Sequence, residues 1–147
     1  MPEYDGWNAA VVHEESSDVA EHMLMPELLN RRHNTLFDLT GANTGKMVEM
    51  VEKLQRAGYD VHIGGVELPS HKSSARAWSR FRKNSFGGGD EPGRFVPPSY
   101  VKNKFANGLG ETYNSLKKNP SVQSWTRLDT DVPRCEKPKV IDKGGRT

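Results

Sequence analysis

The clearest rhythm in the chain lies between residues 43 and 57. Met47, Val48, Met50, Val51 and Leu54 recur at helical spacing, while Glu49, Glu52, Lys53, Gln55 and Arg56 occupy the opposite face. An apolar stripe of this kind predicts an amphipathic helix. Asn43 or Thr44 is its expected N-cap, and Gly58 the glycine that ends it. Before it, residues 34–40 form an apolar run of strand-forming type. Such a run predicts a strand buried on both faces of a parallel sheet. Asp38 and Thr40 stand i, i+2 at its end, where strand periodicity would turn both side chains the same way. Residues 59–68 predict a second strand, closed by Pro69. Strand, helix and strand in so short a span predict a right-handed, parallel βαβ unit. In open α/β sheets ligands bind beyond the carboxyl ends of the strands, so Asp38 and Thr40 become candidate site residues.

The flanking segments are less regular. Residues 1–7, with Pro2 and Gly6, read as a lead-in. From Asn8, the residues Ala9, Val12, Val19, Ala20 and Met23 fall near one helical face, interrupted by His13-Glu14-Glu15-Ser16-Ser17-Asp18. Pro26 should kink or restart that helix, since proline suits a first turn and not an interior. Residues 70–83 predict a cation-rich helix with Trp78 and Phe81 as partial apolar anchors. A glycine-rich loop follows at 87–93, and then a helix over 98–118 that Gly108 and Gly110 weaken. A weaker strand is expected over 123–129, a short one at Val140-Ile141, and frayed chain from 142 to 147. The fold class expected is α/β: a three-layer domain with a small, mostly parallel sheet flanked by helices. The whole of 1–147 reads as one domain, with an irregular tail from 131.

Composition narrows this picture. The chain has 147 residues, 34% of them hydrophobic and 27% charged, with mean hydropathy −0.77. The core is therefore modest, and the length suits one domain. Net charge is only +2, yet His71, Lys72, Arg76, Arg80, Arg82, Lys83 and Arg94 cluster within one short stretch. Cys135 is the single cysteine, which excludes an internal disulfide. The five histidines are scattered without metal-ligand spacing, so no metal site is expected. No apolar run approaches the length of a membrane span, and a cytoplasmic location is the expectation.

The ordered set resembles the zeta toxin family of P-loop kinases. It comprises His-Glu-Glu-Ser-Ser-Asp at 13–18, Asp38-x-Thr40, a helix ending Ala57-Gly58-Tyr59, a strand, Arg76-x-x-x-Arg80, the glycine-rich loop and Gly93-Arg94-x-Val96-Pro97. The resemblance covers roughly residues 2–130. It implies an ATP-dependent, magnesium-requiring phosphotransferase of toxin–antitoxin type that acts on UDP-N-acetylglucosamine. By the same resemblance Asp38 and Thr40 hold the sugar nucleotide, with Glu15 (or Glu14, where the register is ambiguous) from the preceding helix. Arg76, Arg80 and Arg94 match arginines that clamp the ATP phosphates. The chemistry suits these residue types: phosphoryl transfer relies on positioning and cationic stabilisation, and the planar arginine fork fits phosphate oxygens.

The chain departs from the family in three places. It contains no G-x-x-x-x-G-K-S/T loop, none of the catalytic aspartate that accompanies it, and Ala42-Asn43 where an arginine is expected after the threonine. Gly41-Ala42-Asn43-Thr44-Gly45-Lys46-Met47 imitates a phosphate loop, but it is one residue short and has Met47 in place of the magnesium-holding hydroxyl. The expectation is a kinase-like domain, inactive alone, that keeps acceptor-binding residues and lid arginines. It would act with a partner chain supplying the loop or as part of a longer product. The alternative is a catalytically dead interaction scaffold on the same fold. Nucleic-acid binding through helix 70–83 is a third reading, opposed by the low net charge and the core-like Trp78 and Phe81. Loss of a central strand would expose an edge on strand 34–40, to be covered by a homo-oligomer or a partner.

Overall fold

The structure is a computed structural model describing residues 9–86, 93–104, 110–133 and 135–146. The lead-in, loop 87–92 and the Gly108 region of the expected long helix lie outside the described residues. The chain divides into two compact units. One comprises 1–37 and 71–103, the other 38–70 and 104–147.

The second unit holds the sheet. Helix α3 (Thr44–Arg56) opens with Asn43 as N-cap, its side chain accepting a hydrogen bond from the Lys46 N–H at 3.1 Å. The helix closes as expected on Gly58, at φ +85°. The Tyr59 N–H donates to the Leu54 carbonyl and the Gly58 N–H to that of Gln55, which satisfies the last carbonyls in a Schellman motif. Strand β1 (Val61–Glu67) pairs in parallel with β2 (Val122–Asp129), and β2 pairs antiparallel with β3 (Lys139–Gly145). The sheet is thus mixed, three-stranded and ordered β1-β2-β3. Helix α6 (Gly110–Lys118) packs on β1 and β2, with α3 beside it. Val51, Leu54, Val61, Leu116 and Val122 form the core, Val122 fully enclosed. Each such side chain contributes about 1.5–3 kcal/mol relative to exposure.

Strand β3 corrects the expected frayed tail. Its Lys139, Asp142 and Lys143 look solvated in sequence, but Asp142 accepts hydrogen bonds from Lys117 Nζ at 2.6 Å and Tyr113 Oη at 3.2 Å, both on α6. Arg146, just beyond, donates to the Val122 and Lys117 carbonyls and lies over the Trp125 ring. These bonds fix the strand from outside its own sequence. The Lys117 hydrogen bond holds the Asp142 carboxyl below its ordinary value. Burial, reinforced by the hydrogen bond to Asp142, pushes the Tyr113 hydroxyl up to about 12.

The first unit is helical. Helix α1 (Ala9–Val19) runs through the polar stretch that should have interrupted its apolar face; Ser16 and Ser17 hydroxyls both donate to the His13 carbonyl. A π-helical turn (Ala20–Leu24) then precedes α2 (Met25–Arg31), which has Pro26 in its first turn. Widening the helix there relieves the clash and missing N–H that proline imposes on an α-helical interior. Of the expected stripe, Val12, Val19 and Met23 are exposed. Helix α4 (Ser70–Phe86) and helix α5 (Pro98–Lys104) follow, so the expected 98–118 helix is seen as α5 and α6 on either side of 105–109.

Residues 34–40 form no strand. Leu36 is 94% exposed and Leu39 49%. An apolar run becomes a strand only where a ladder partner and a packed face await it, and among the described residues none pairs with it. The edge expected there is accordingly not a strand edge; among the described residues β1 ladders only with β2.

The Asp142 network predicts an acid-sensitive tail. A carboxylate whose folded pKa is depressed contributes stability above its unfolded value, near pH 4, and loses it as pH falls through the folded value. Thermal melts should show Asp142→Asn less stable than wild type at pH 7, with the two curves converging as the pH falls below the ordinary carboxylate range. A gap that persists unchanged in acid would contradict this role for Asp142.

Candidate functional site

In the first unit the three arginines stand on a framework of aromatic rings. Phe81 is 1% exposed and meets Trp78, Phe86 and Phe95 at centroid distances of 5.5, 5.9 and 5.3 Å. Trp78 also meets Phe95 edge-on at 6.2 Å. Helical spacing sets Arg76 and Arg80 one turn apart on α4, both exposed. Gly93 is buried directly on that helix. A Cβ there would lie 2.7 Å from both the Phe81 Cα and carbonyl oxygen, and 3.1 Å from the Arg80 carbonyl oxygen. No other residue fits so close an approach of two backbones. Exposed Arg94 therefore leaves the chain beside the Arg80 turn, with Phe95 locking the segment from its other side. Glu15 is exposed on α1, with Glu14 next to it.

In the second unit Asp38 and Thr40 are exposed on irregular chain ahead of α3. The strand alternation that was to aim them together is absent, and the chain is instead held one residue later. Gly41 adopts φ +66°, and its carbonyl accepts a hydrogen bond from Thr112 Oγ1 on α6 at 2.9 Å. Thr112, 9% exposed, also meets Thr44 Oγ1 at 2.7 Å. Nothing in the sequence singles out Thr112, because its partners stand 71 and 68 residues away. The loop that imitates a phosphate cradle is an ordinary capped turn, with the Lys46 N–H already spent on Asn43.

The family model for Zeta toxin matches residues 1–138. The chain belongs to the zeta toxin family. Membership brings a kinase-like fold and the family's themes of toxicity and nucleotide binding. No curated protein and no solved structure matches the chain. The matched span includes the Glu15, Asp38-x-Thr40, Arg76-x-x-x-Arg80 and Gly93-Arg94 positions and stops just short of β3. Among the described residues no helix is long and apolar enough to cross a membrane, and no three His, Cys, Asp or Glu side chains converge as metal ligands.

Gly93→Ala should destabilise the first unit by roughly 1–3 kcal/mol, as overpacking against immovable backbone does. Arg80→Ala, at an exposed position, should shift stability by no more than about 0.5 kcal/mol. Urea unfolding of the two variants checks this; equal midpoints would remove the case that Gly93 fixes Arg94 to α4.

Proposed function

We propose that this zeta toxin family chain is the acceptor-and-lid part of an ATP-dependent small-molecule kinase. Asp38 and Thr40 bind a UDP-sugar of the UDP-N-acetylglucosamine type, a ligand to which the family pattern alone assigns Glu15, and Arg76, Arg80 and Arg94 bind the phosphates of ATP. The observation that supports the reading is the packing of Gly93 on α4, which sets the backbone just before Arg94 against the Arg80 turn. Paired guanidinium forks suit a polyphosphate better than any single cation. A carboxylate beside a hydroxyl suits the hydroxyl groups of a sugar or ribose. The magnesium that accompanies ATP is held mainly by phosphate oxygens and water, with one or two carboxylates, and needs no cage of protein ligands.

These 147 residues contain no G-x-x-x-x-G-K-S/T, and Lys46 sits in a capped helix start. On this reading they bind both ligands and transfer nothing by themselves; turnover requires a phosphate loop from another segment or chain. A second reading, a silent interaction scaffold, is favoured by the exposed Val11, Val19, Met23 and Leu24 of the first helical segment. It predicts partner binding with neither nucleotide.

Calorimetric titration separates the two. Magnesium-ATP should bind wild type, and Arg80→Ala or Arg94→Ala should each weaken it about tenfold or more, the usual effect of losing a charge-assisted contact. UDP-N-acetylglucosamine should bind wild type and lose affinity in Asp38→Asn. Binding of neither ligand would favour the scaffold. Phosphoryl transfer by the 147-residue chain that Lys46→Ala abolishes would overturn the account of the capped turn.

A further inference from the structure

We infer that Thr112 is a positioning residue for the acceptor site, acting on Asp38 and Thr40 through the carbonyl of Gly41. This rests on the acceptor reading above and extends it to a residue that touches no ligand. Proton counting gives the arrangement a direction. A threonine hydroxyl has one hydrogen to donate. That of Thr112 goes to the Gly41 carbonyl at 2.9 Å, so the 2.7 Å contact must run from the Thr44 hydroxyl to Thr112. The result is a two-step relay, Thr44 to Thr112 to Gly41, closing the turn between Thr40 and the first turn of α3 onto α6.

Each part of the turn has a physical reason to be there. Gly41 supplies the left-handed φ that aims its carbonyl at α6. Asn43 and Thr44 take up the start of α3, Asn43 by capping Lys46 and Thr44 by donating to Thr112. Thr112 stands in the first turn of α6, a helix fixed beside the sheet by Tyr113 and Leu116, both 4% exposed. The Asp38-to-Thr40 stretch has no ladder of its own, so the hydroxyl of Thr112 replaces the strand pairing that would ordinarily fix a strand-end site. A part-buried acceptor robbed of its donor is costly, and Thr112→Val removes the donor while keeping the shape.

The test compares Thr112→Val, Thr112→Ser and wild type by two readouts: calorimetric affinity for UDP-N-acetylglucosamine, and amide hydrogen exchange in peptides covering 38–44. Thr112→Val is expected to speed exchange over 38–44 and to weaken binding about five- to tenfold. Exchange over β2 should remain as in wild type. Thr112→Ser, which keeps the hydroxyl, should restore both readouts to within about twofold of wild type. Unchanged exchange in Thr112→Val, or a Thr112→Ser as impaired as Thr112→Val, overturns the inference. Failure of wild type to bind the sugar nucleotide overturns the acceptor reading alone, and the exchange arm still decides whether Thr112 holds the turn. If Thr112→Val does not fold, Thr112→Ala replaces it: faster exchange over 38–44 supports the inference, and unchanged exchange overturns it.

Discussion

Helix α6 is the part on which the sheet-bearing unit depends, because three of its side chains hold two segments that are distant in sequence, the turn at Gly41 and strand β3. Thr112 takes the carbonyl of Gly41, Tyr113 reaches Asp142 on β3, and Lys117 completes the same carboxylate. None of these contacts is local in sequence. Each attaches a segment with weak structural preference of its own to a helix whose buried side carries Thr112, Tyr113 and Leu116. The short helix is stable through packing, since nine residues have little intrinsic helicity in water. Its polar contacts then decide which parts of the chain are ordered around it.

The helical unit works by a different constraint. Its aromatic cluster around Phe81 is apolar and permanent, and it places charge on the surface as a consequence. Arg76 and Arg80 are where they are because Ala77 and Phe81 face inward. Arg94 is where it is because Gly93 and Phe95 press the chain onto α4. The framework fixes where these arginines leave the backbone, which suits the phosphate contacts proposed for them. The two candidate ligand sites thus have distinct supports, one of hydroxyl hydrogen bonds and one of packed rings.

The parts of this arrangement legible in the sequence are those fixed by local chemistry. Asn43 as cap, Gly58 as helix end, β1, β2 and the cation-rich α4 all follow from periodicity and terminal residues. The parts not legible depend on distant partners. Residues 34–40 read as a strand, yet an apolar run has no strand geometry without a neighbour to pair with, and Leu36 is left in solvent. Residues 142–145 read as frayed, yet Asp142 finds its partners on α6 and Arg146 locks the end of the strand. Of the site, the arginines and the Asp-x-Thr were legible as an ordered motif. Gly93 was visible only as part of that motif, and its reason, contact with the α4 backbone, came from the structure. Thr112 gave no sequence signal at all.

On the proposed reading the chain carries a polyphosphate site on α4 and Arg94 and a sugar-nucleotide site at the turn before α3. Amide hydrogen exchange of the wild-type chain with each ligand in turn measures this directly. The account predicts that magnesium-ATP slows exchange in peptides covering 71–86 and 93–97, and that UDP-N-acetylglucosamine slows it over 38–44. Protection of the same peptides by both ligands, or of neither region by either, would contradict it.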